Sequence, residues 1–444
     1  MTEFAGWGNY PRIATEHLAP RMPAAVPALT AARSGMIARG QGRAYGDAAI
    51  GMASTLSSLA MNRMRSFDAA TGRLTVESGV TVADILDIFV PRGYFLKVVP
   101  GTKFVSVGGA IAADIHGKNH HRDGGFGDHV DSLRLVLPDG ETMSCSRSDN
   151  AELFMATIGG MGLTGVIIEA TLRLMKIETG WLKQETRVAA NLDAAITALD
   201  DTTAATYSVA WIDCLARGNA LGRSLLYVAD HASAAEKDRI SPQLTPFPAE
   251  RAARLAVPSF FPGFALNPLS VRTFNELYFR RGAARTGAAE LVPWDSYFFP
   301  LDAIANWNRI YGRRGFLQHQ CVIPAHRART VLAEILERVS RRGTASFLAV
   351  LKQLGDSHGL MSFPLRGYTL AMDFPITDTL FDFLDEIDAL VVAAGGRLYL
   401  AKDARQSRAS FAAGYPGLGA FRDIRRRISA NERLVSHLSA RLGI

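Results

Sequence analysis

Apolar and polar residues alternate along Leu74-Thr-Val-Glu77 and again from Thr164 to Lys176, the period-two pattern of half-buried strands. Met36-Ile-Ala-Arg39 reads as a short strand running into Gly40-Gln-Gly42, and Ser132–Leu137, Pro138-Asp-Gly140 and Glu141–Cys145 read as strand, turn and strand. A helix is predicted from Thr81, whose hydroxyl can cap it with Asp84 three positions on, to Val90 before Pro91. Asp149-Asn150 can cap a second, short helix through Ala156. Pro11, Pro20, Pro23 and Pro27 predict irregular chain up to about residue 27. The pattern predicts an α+β domain over residues 1–178.

Beyond Thr179 the character changes. Strands are predicted at Thr206–Ile212, Ser224–Ala229, Phe316–Ile323 and Thr369–Phe374, and helices at Ala325–Ser340 and Leu380–Ala393, giving a second α+β domain over 179–395. The Pro- and Phe-rich run Ala256–Pro268, inside Leu255–Phe279, shows neither period. It reads either as a lid or binding loop or as irregular chain packed on the core. Its apolar content, followed by Arg272, Arg280 and Arg281, suits a lipid tail and headgroup. After Gly395-Gly396, Arg397–Asp403 reads as a strand bearing Tyr399 and Lys402, and Phe421–Ile428 as a basic helix with a solvated face or one turned to an anionic surface.

Composition narrows the partners. The 444 residues are 48% hydrophobic and 20% charged, ordinary for a globular chain, and exceed the usual size of one core. A net charge of +7 favours phosphates and acidic lipid surfaces; no nucleic-acid reading motif accompanies it, so no nucleic-acid partner is expected. Cys145, Cys214 and Cys321 are too scattered for a metal or disulfide pattern and are expected to stay reduced in the core. No signal peptide and no membrane-spanning run are visible, so the expectation is a cytoplasmic protein or one peripheral at a membrane.

Candidate chemistry lies in two glycine-rich stretches, Ala38–Asp47 and Val99–His121. Neither is a P-loop or a G-x-G-x-x-G opening a helix. Loops of this kind at strand ends can instead cradle a pyrophosphate with successive backbone amides, so a dinucleotide cofactor competes with a plain structural turn. His116, Lys118, His120 and His121 follow the second pair of glycines. The adjacent His120 and His121 would point to opposite faces of an extended segment, and no third ligand is spaced for zinc, so no metal is expected.

Arg39-Gly-Gln-Gly-Arg-Ala-Tyr-Gly-Asp47, Pro100-Gly-Thr with Val107-Gly-Gly, and Gly159-Gly-Met-Gly162 resemble the FAD domain of the vanillyl-alcohol-oxidase superfamily. More narrowly, Ile115-His-Gly-Lys-Asn-His-His121, Trp307–Gly312, Ser362-Phe-Pro, Asp373-Phe-Pro375 and Gly396-Arg-Leu-Tyr-Leu-Ala-Lys-Asp403 resemble the decaprenylphosphoryl-β-D-ribose 2′-oxidase family. The resemblance implies a two-domain α+β fold: an FAD-binding domain built from residues 1–178 and the returning segment 396–444, with an inserted antiparallel-sheet substrate domain.

It also implies site residues. FAD would lie along Ala38, Arg39, Gly40, Gln41, Gly42, Arg43, Ala44, Tyr45, Gly46, Asp47 and Ala48. Further contacts would come from Gly101, Ser106, Val107, Gly108, Gly109, Ala113, Asp114, Ile115, His116, Ile168 and Tyr399. Many superfamily members attach flavin covalently through a histidine of the first loop; Arg43 stands there, so non-covalent FAD is expected. Lys402 matches the family's essential lysine and would hold or deprotonate the substrate hydroxyl, against the reading of a surface lysine at a strand end. His116 would tune the flavin or orient substrate, or be a satisfied structural histidine. Lys118, Gln320 and Lys352 would line the substrate pocket with Lys402, and Ala371 stands where well-known members carry cysteine. The implied reaction oxidises the ribose 2′-hydroxyl of a polyprenyl-phosphoryl ribose to a 2-keto sugar, which a short-chain NAD-dependent reductase partner then completes as an epimerisation. An oxidase of soluble sugars, alditols or aldonolactones, and a flavin-binding protein without turnover, are the rivals.

Overall fold

The computed structural model describes residues 1–250, 255–258, 266–343 and 348–444. Two antiparallel sheets carry most of the chain. The first has six strands, ordered Met64–Asp68, Arg73–Glu77, Val166–Lys176, Val130–Val136 and Thr142–Ser146, with Tyr94–Leu96 also paired on the long central strand. The second has eight, ordered Glu290–Pro293, Trp181–Ala189, Ser224–His231, Tyr207–Ile212, Ala349–Leu354, Gly367–Pro375, Phe316–Pro324 and Arg397–Leu398. A four-stranded sheet near the N-terminus holds Met36–Arg39 parallel to Ser54–Ser57.

Local sequence explains these elements. Along Val166–Lys176, Ala170, Leu172 and Leu174 turn inward on one face and meet Leu74 and Val76 of the neighbouring strand in one core. The helix Val82–Phe89 buries Val82, Ile85, Leu86 and Phe89, the i, i+3, i+4, i+7 stripe, and Thr81 and Asp84 form the expected capping box. In the eight-stranded sheet, helices Ala325–Arg342 and Leu380–Ala393 cover one face through Leu332, Ile335, Leu336, Leu384 and Ile387.

Several expectations need correction. The proline-punctuated N-terminus forms a hairpin of Thr2–Ala5 and Arg12–Leu18, since Pro11 sits in its turn rather than in a strand. Residues Pro268–Ala283 form a helix, started by Asn267 as a side-chain cap with Pro268 at its first position; residues 259–265 of the expected lid lie outside the described residues. Pairing after Gly396 stops at Leu398, so Lys402 rides on a turn, its amide donating to Tyr399 O at 2.9 Å. His120–Asp123 is a helical turn rather than extended chain. The basic helix, Leu418–Arg427, is not wholly solvated: Arg425 is fully buried and donates to the carbonyls of Leu163, Ala430 and Leu434. Asn150 starts its helix with positive φ and gives its side chain to Ser144 O instead of capping. Cys145, Cys214 and Cys321 are buried and unbridged. Among the described residues, no helix is long and apolar enough to cross a membrane.

Candidate active site

The strand Met36–Arg39 delivers the first glycine loop to a cavity of ≈ 430 Å³ that extends to Lys402. A Cβ on Gly40 would sit 1.9 Å from Ser106 Oγ, so the first loop and the start of the Val107–Ala112 helix touch only because that side chain is missing. Among the described residues, none of the amides of residues 41–44 donates to a backbone carbonyl. Ser78 Oγ, on the same wall, is buried without a partner among the described residues. Free amides and an unpaired buried hydroxyl along a groove form a cradle for an anionic cofactor.

Most of the expected site residues meet here. Ala38, Gly40, Gln41, Gly42, Arg43, Ala44, Tyr45, Ala48, Gly101, Ser106, Gly108, Gly109, Ala113, Ile115, His116 and Tyr399 line the cavity, as do Lys118, Gln320, Lys352, Ala371 and Lys402. Six do not. Ile168 packs inward with Leu56 and Val136, and its neighbour Ile167, on the opposite face of the strand, lines the cavity instead. Val107 is buried in its helix. Arg39 is spent on Ala5 O at 2.6 Å and Ala49 O at 3.3 Å. Gly46 packs on the carbonyl of Asp403, and Asp47 pairs with Arg441 at 2.9 Å. Asp114, held at φ 38°, accepts on its carboxylate from Gly127 N at 3.0 Å and from Ser362 Oγ at 2.6 Å.

The cationic groups share an electrostatic character. Lys402 Nζ lies 3.7 Å from the centroid of the Tyr45 ring. Burial lowers its pKa from 10.5 to about 7; Asp373 opposes the shift and Lys352 adds to it. Burial also lowers Lys118 to about 7 and Lys352 to about 8. Lys118 donates to Tyr297 O and stands 4.0 Å above that ring. His116 is driven well below its ordinary value by burial first and by Lys352, His120 and Lys402 next, so its imidazole is neutral. Its Nε2 accepts from Gln320 Nε2 at 2.9 Å, which leaves the proton on Nδ1, a buried atom without a partner among the described residues. His120 is committed to Gly355 N at 3.0 Å and His121 to Ala205 O at 3.1 Å.

Sequence reasoning passed over part of the site and of the layer behind it. Asp373, quoted only as part of a motif, is fully buried and accepts from Gln318 Nε2 at 2.6 Å and Tyr311 OH at 3.2 Å, and burial raises its carboxyl pKa. Trp211, Tyr227, Tyr278 and Phe298 form an aromatic rim, and Trp7 stacks on the Arg43 guanidinium at 3.9 Å. The run Tyr297-Phe-Phe299 was the signal available for that rim.

Residues 22–146 match the family model of an FAD binding domain. A protein of Mycolicibacterium smegmatis named decaprenylphosphoryl-beta-D-ribose oxidase is 36% identical, over 98% of this chain and 96% of its own length. The chain belongs to the decaprenylphosphoryl-β-D-ribose oxidase family. An uncharacterized protein of Streptomyces coelicolor is 36% identical over 82% of the chain and all of its own length. L-gulonolactone oxidase of Mus musculus is 30% identical over 30% of the chain and 31% of its own length. This member of the decaprenylphosphoryl-β-D-ribose oxidase family is an FAD-dependent oxidoreductase, and the cradle of residues 40–44, Ser78 and Ser106 fits that cofactor.

Proposed function

We propose that this enzyme oxidises the ribose 2′-hydroxyl of a polyprenyl-phosphoryl-β-D-ribose to the 2-keto sugar, with Lys402 as the base. The observation that carries the reading is a lysine held near neutrality by burial, in one cavity with the cofactor cradle and two further lysines. Bound FAD supplies the acceptor for the hydride leaving the carbinol carbon. Lys402 Nζ, as the free amine, takes the hydroxyl proton, and the Tyr45 ring supports the ammonium that results. Lys118 and Lys352 give the substrate phosphate its positive surroundings, and Gln320 fixes the His116 tautomer so that Nδ1–H is free to donate to a ligand. Arg43 lines the cavity with its guanidinium given to Phe104 O at 3.1 Å and to the face of Trp7, which supports FAD held without a covalent bond. The reading includes the two-domain division, with residues 1–178 and 396–444 around the cofactor and 179–395 as substrate domain.

A 2-keto sugar is returned to a sugar alcohol by hydride donation, so a short-chain NAD-dependent reductase is the natural consumer of the product. A lipid-linked substrate also suits the helix Pro268–Ala283. Its Leu269 and Leu277 are 75% and 64% exposed and its last turn carries Arg280 and Arg281, while its Tyr278 lines the cavity and shares a 2.8 Å hydroxyl contact with Tyr227. We read this face as a peripheral contact with an anionic bilayer.

Anaerobic titration separates the readings. Bleaching of the flavin absorbance by polyprenyl-phosphoryl ribose is the expected result. Bleaching by free alditols or aldonolactones alone would move the enzyme to the soluble-sugar class that the partial lactone-oxidase match represents. Inertness toward all of them would leave a flavin-binding protein without turnover.

A further inference from the structure

The turn that carries Lys402 is not tied to the sheet beneath it alone. Tyr45 N donates to Ala401 O at 2.8 Å, which joins the first glycine loop to that turn directly. One ion-pair cluster then spans both from behind. Arg441, on the helix His437–Leu442, donates through Nε and Nη2 to both oxygens of Asp47 at 3.2 and 2.9 Å. Its Nη1 donates to Asp403 Oδ2 at 2.9 Å and to Gln406 O at 2.8 Å. Both carboxylate side chains are only 6% exposed. The helix itself is fastened to the loop side, with His437 N on Ile50 O at 2.9 Å and Met52 N on Val435 O at 3.1 Å.

We infer that Arg441 is a positioning residue for the oxidation: by clamping Asp47 to Asp403, it holds the Tyr45 ring under Lys402 Nζ. Asp47 lies two residues from Tyr45, and Asp403 is next to Lys402. A planar guanidinium that binds one carboxylate through two nitrogens fixes direction as well as distance, which an ammonium does not. The clamp touches neither the cavity nor a reacting atom; it acts on the spacing between two groups that do. This inference rests on the reading of Lys402 as the base.

The test uses Arg441→Gln, Arg441→Lys and Asp403→Asn in the FAD-loaded enzyme, with stopped-flow flavin reduction measured across pH. Tyr45, Asp373, Lys352 and His116 face Lys402 and are intact in all three variants. A loosened turn admits water, so Lys402 moves back toward its ordinary pKa. The acid limb of the reduction rate should then rise by about one pH unit, which alone lowers the rate at pH 7 about fivefold, and displacement of the amine lowers it further, with FAD retained. A simple change of field predicts something else. Loss of the Arg441 charge would raise the limb and loss of the Asp403 charge would lower it, so shifts of opposite sign overturn the clamp. Arg441→Lys keeps the charge and should still lose rate. Normal rates with an unmoved limb, or rate loss that follows FAD loss alone, also overturn it. If Arg441→Gln fails to fold, Asp403→Asn carries the test, because its amide oxygen can still accept from Arg405 N and Gln406 N. A fully active Lys402→Ala enzyme would instead defeat the base assignment, whatever the clamp variants do.

Discussion

Gly46→Ala is a small change placed where the loop and the Lys402 turn touch. A Cβ built on Gly46 lies 2.1 Å from Asp403 O and 2.7 Å from Ala404 Cβ. Ordinary contact requires the Asp403 carbonyl to retreat by about 1 Å, because close-packed backbone cannot absorb such an overlap. Overpacking of this kind costs about 1–3 kcal/mol of stability. The larger effect falls on the adjacent Lys402: displacing a reacting group by about 1 Å costs ~100-fold in rate, which is about 2.7 kcal/mol in the barrier. Stopped-flow reduction of the anaerobic holoenzyme reads this directly, with flavin content from its absorbance as the control. Gly101→Ala is the counterpart. Among the described residues no heavy atom lies within 4 Å of its added methyl, and Gly101 lines the cavity, so the fold should stand and FAD affinity should drop. A Gly46→Ala enzyme that retains FAD and reduces it at the wild-type rate would refute the claim that this contact sets the position of Lys402.

Other expectations are quickly checked. Lys402→Ala should bind FAD and lose turnover. In the wild-type enzyme the free amine predominates above pH about 7, so flavin reduction should fall tenfold per unit on the acid side of that value and level off above it; a flat profile from pH 5 to 8 would contradict the assignment. Acid precipitation should leave a colourless pellet and a yellow supernatant, since Arg43 offers no covalent bond to flavin. Ala371 lines the cavity opposite Gln320 in the strand register, so thiol-directed covalent inhibitors should leave the mass of the chain unchanged, whereas Ala371→Cys should gain the adduct.

Legibility in the sequence followed the range of the interactions. The helices with clean periodicity, Val82–Phe89 and Leu380–Ala393, were readable because one face of each is apolar, and the first also carries a local cap in Thr81 and Asp84. Lys402 and His116 were readable as motif residues. The turn under Lys402 was not, because Leu398 ends its pairing against Cys321 far away in the chain. Ile168 was misplaced by one residue, since Val166–Ile168 are all buried and the pairing register shifts between Ile167 and Glu169, so the alternation of the rest of the strand does not reach them. Asp373 gave no signal of its own: a lone aspartate in a strand becomes a partner of Gln318 and Tyr311 only once the sheet forms. Arg441 looked like any basic residue in a helix, and its two carboxylates lie 394 and 38 positions away.

That last separation bears on how the protein is made. The Asp47–Arg441 contact closes a loop of almost the whole described chain, so the cofactor groove and the catalytic turn cannot be locked together early in folding. FAD binds only the assembled form and stabilises it by mass action, about 2.7 kcal/mol at a hundredfold excess over its Kd. Flavin supply during expression therefore becomes a determinant of yield as well as of activity. Enzyme produced under riboflavin limitation should accumulate as aggregate, and adding riboflavin to the growing culture should return it to the soluble fraction.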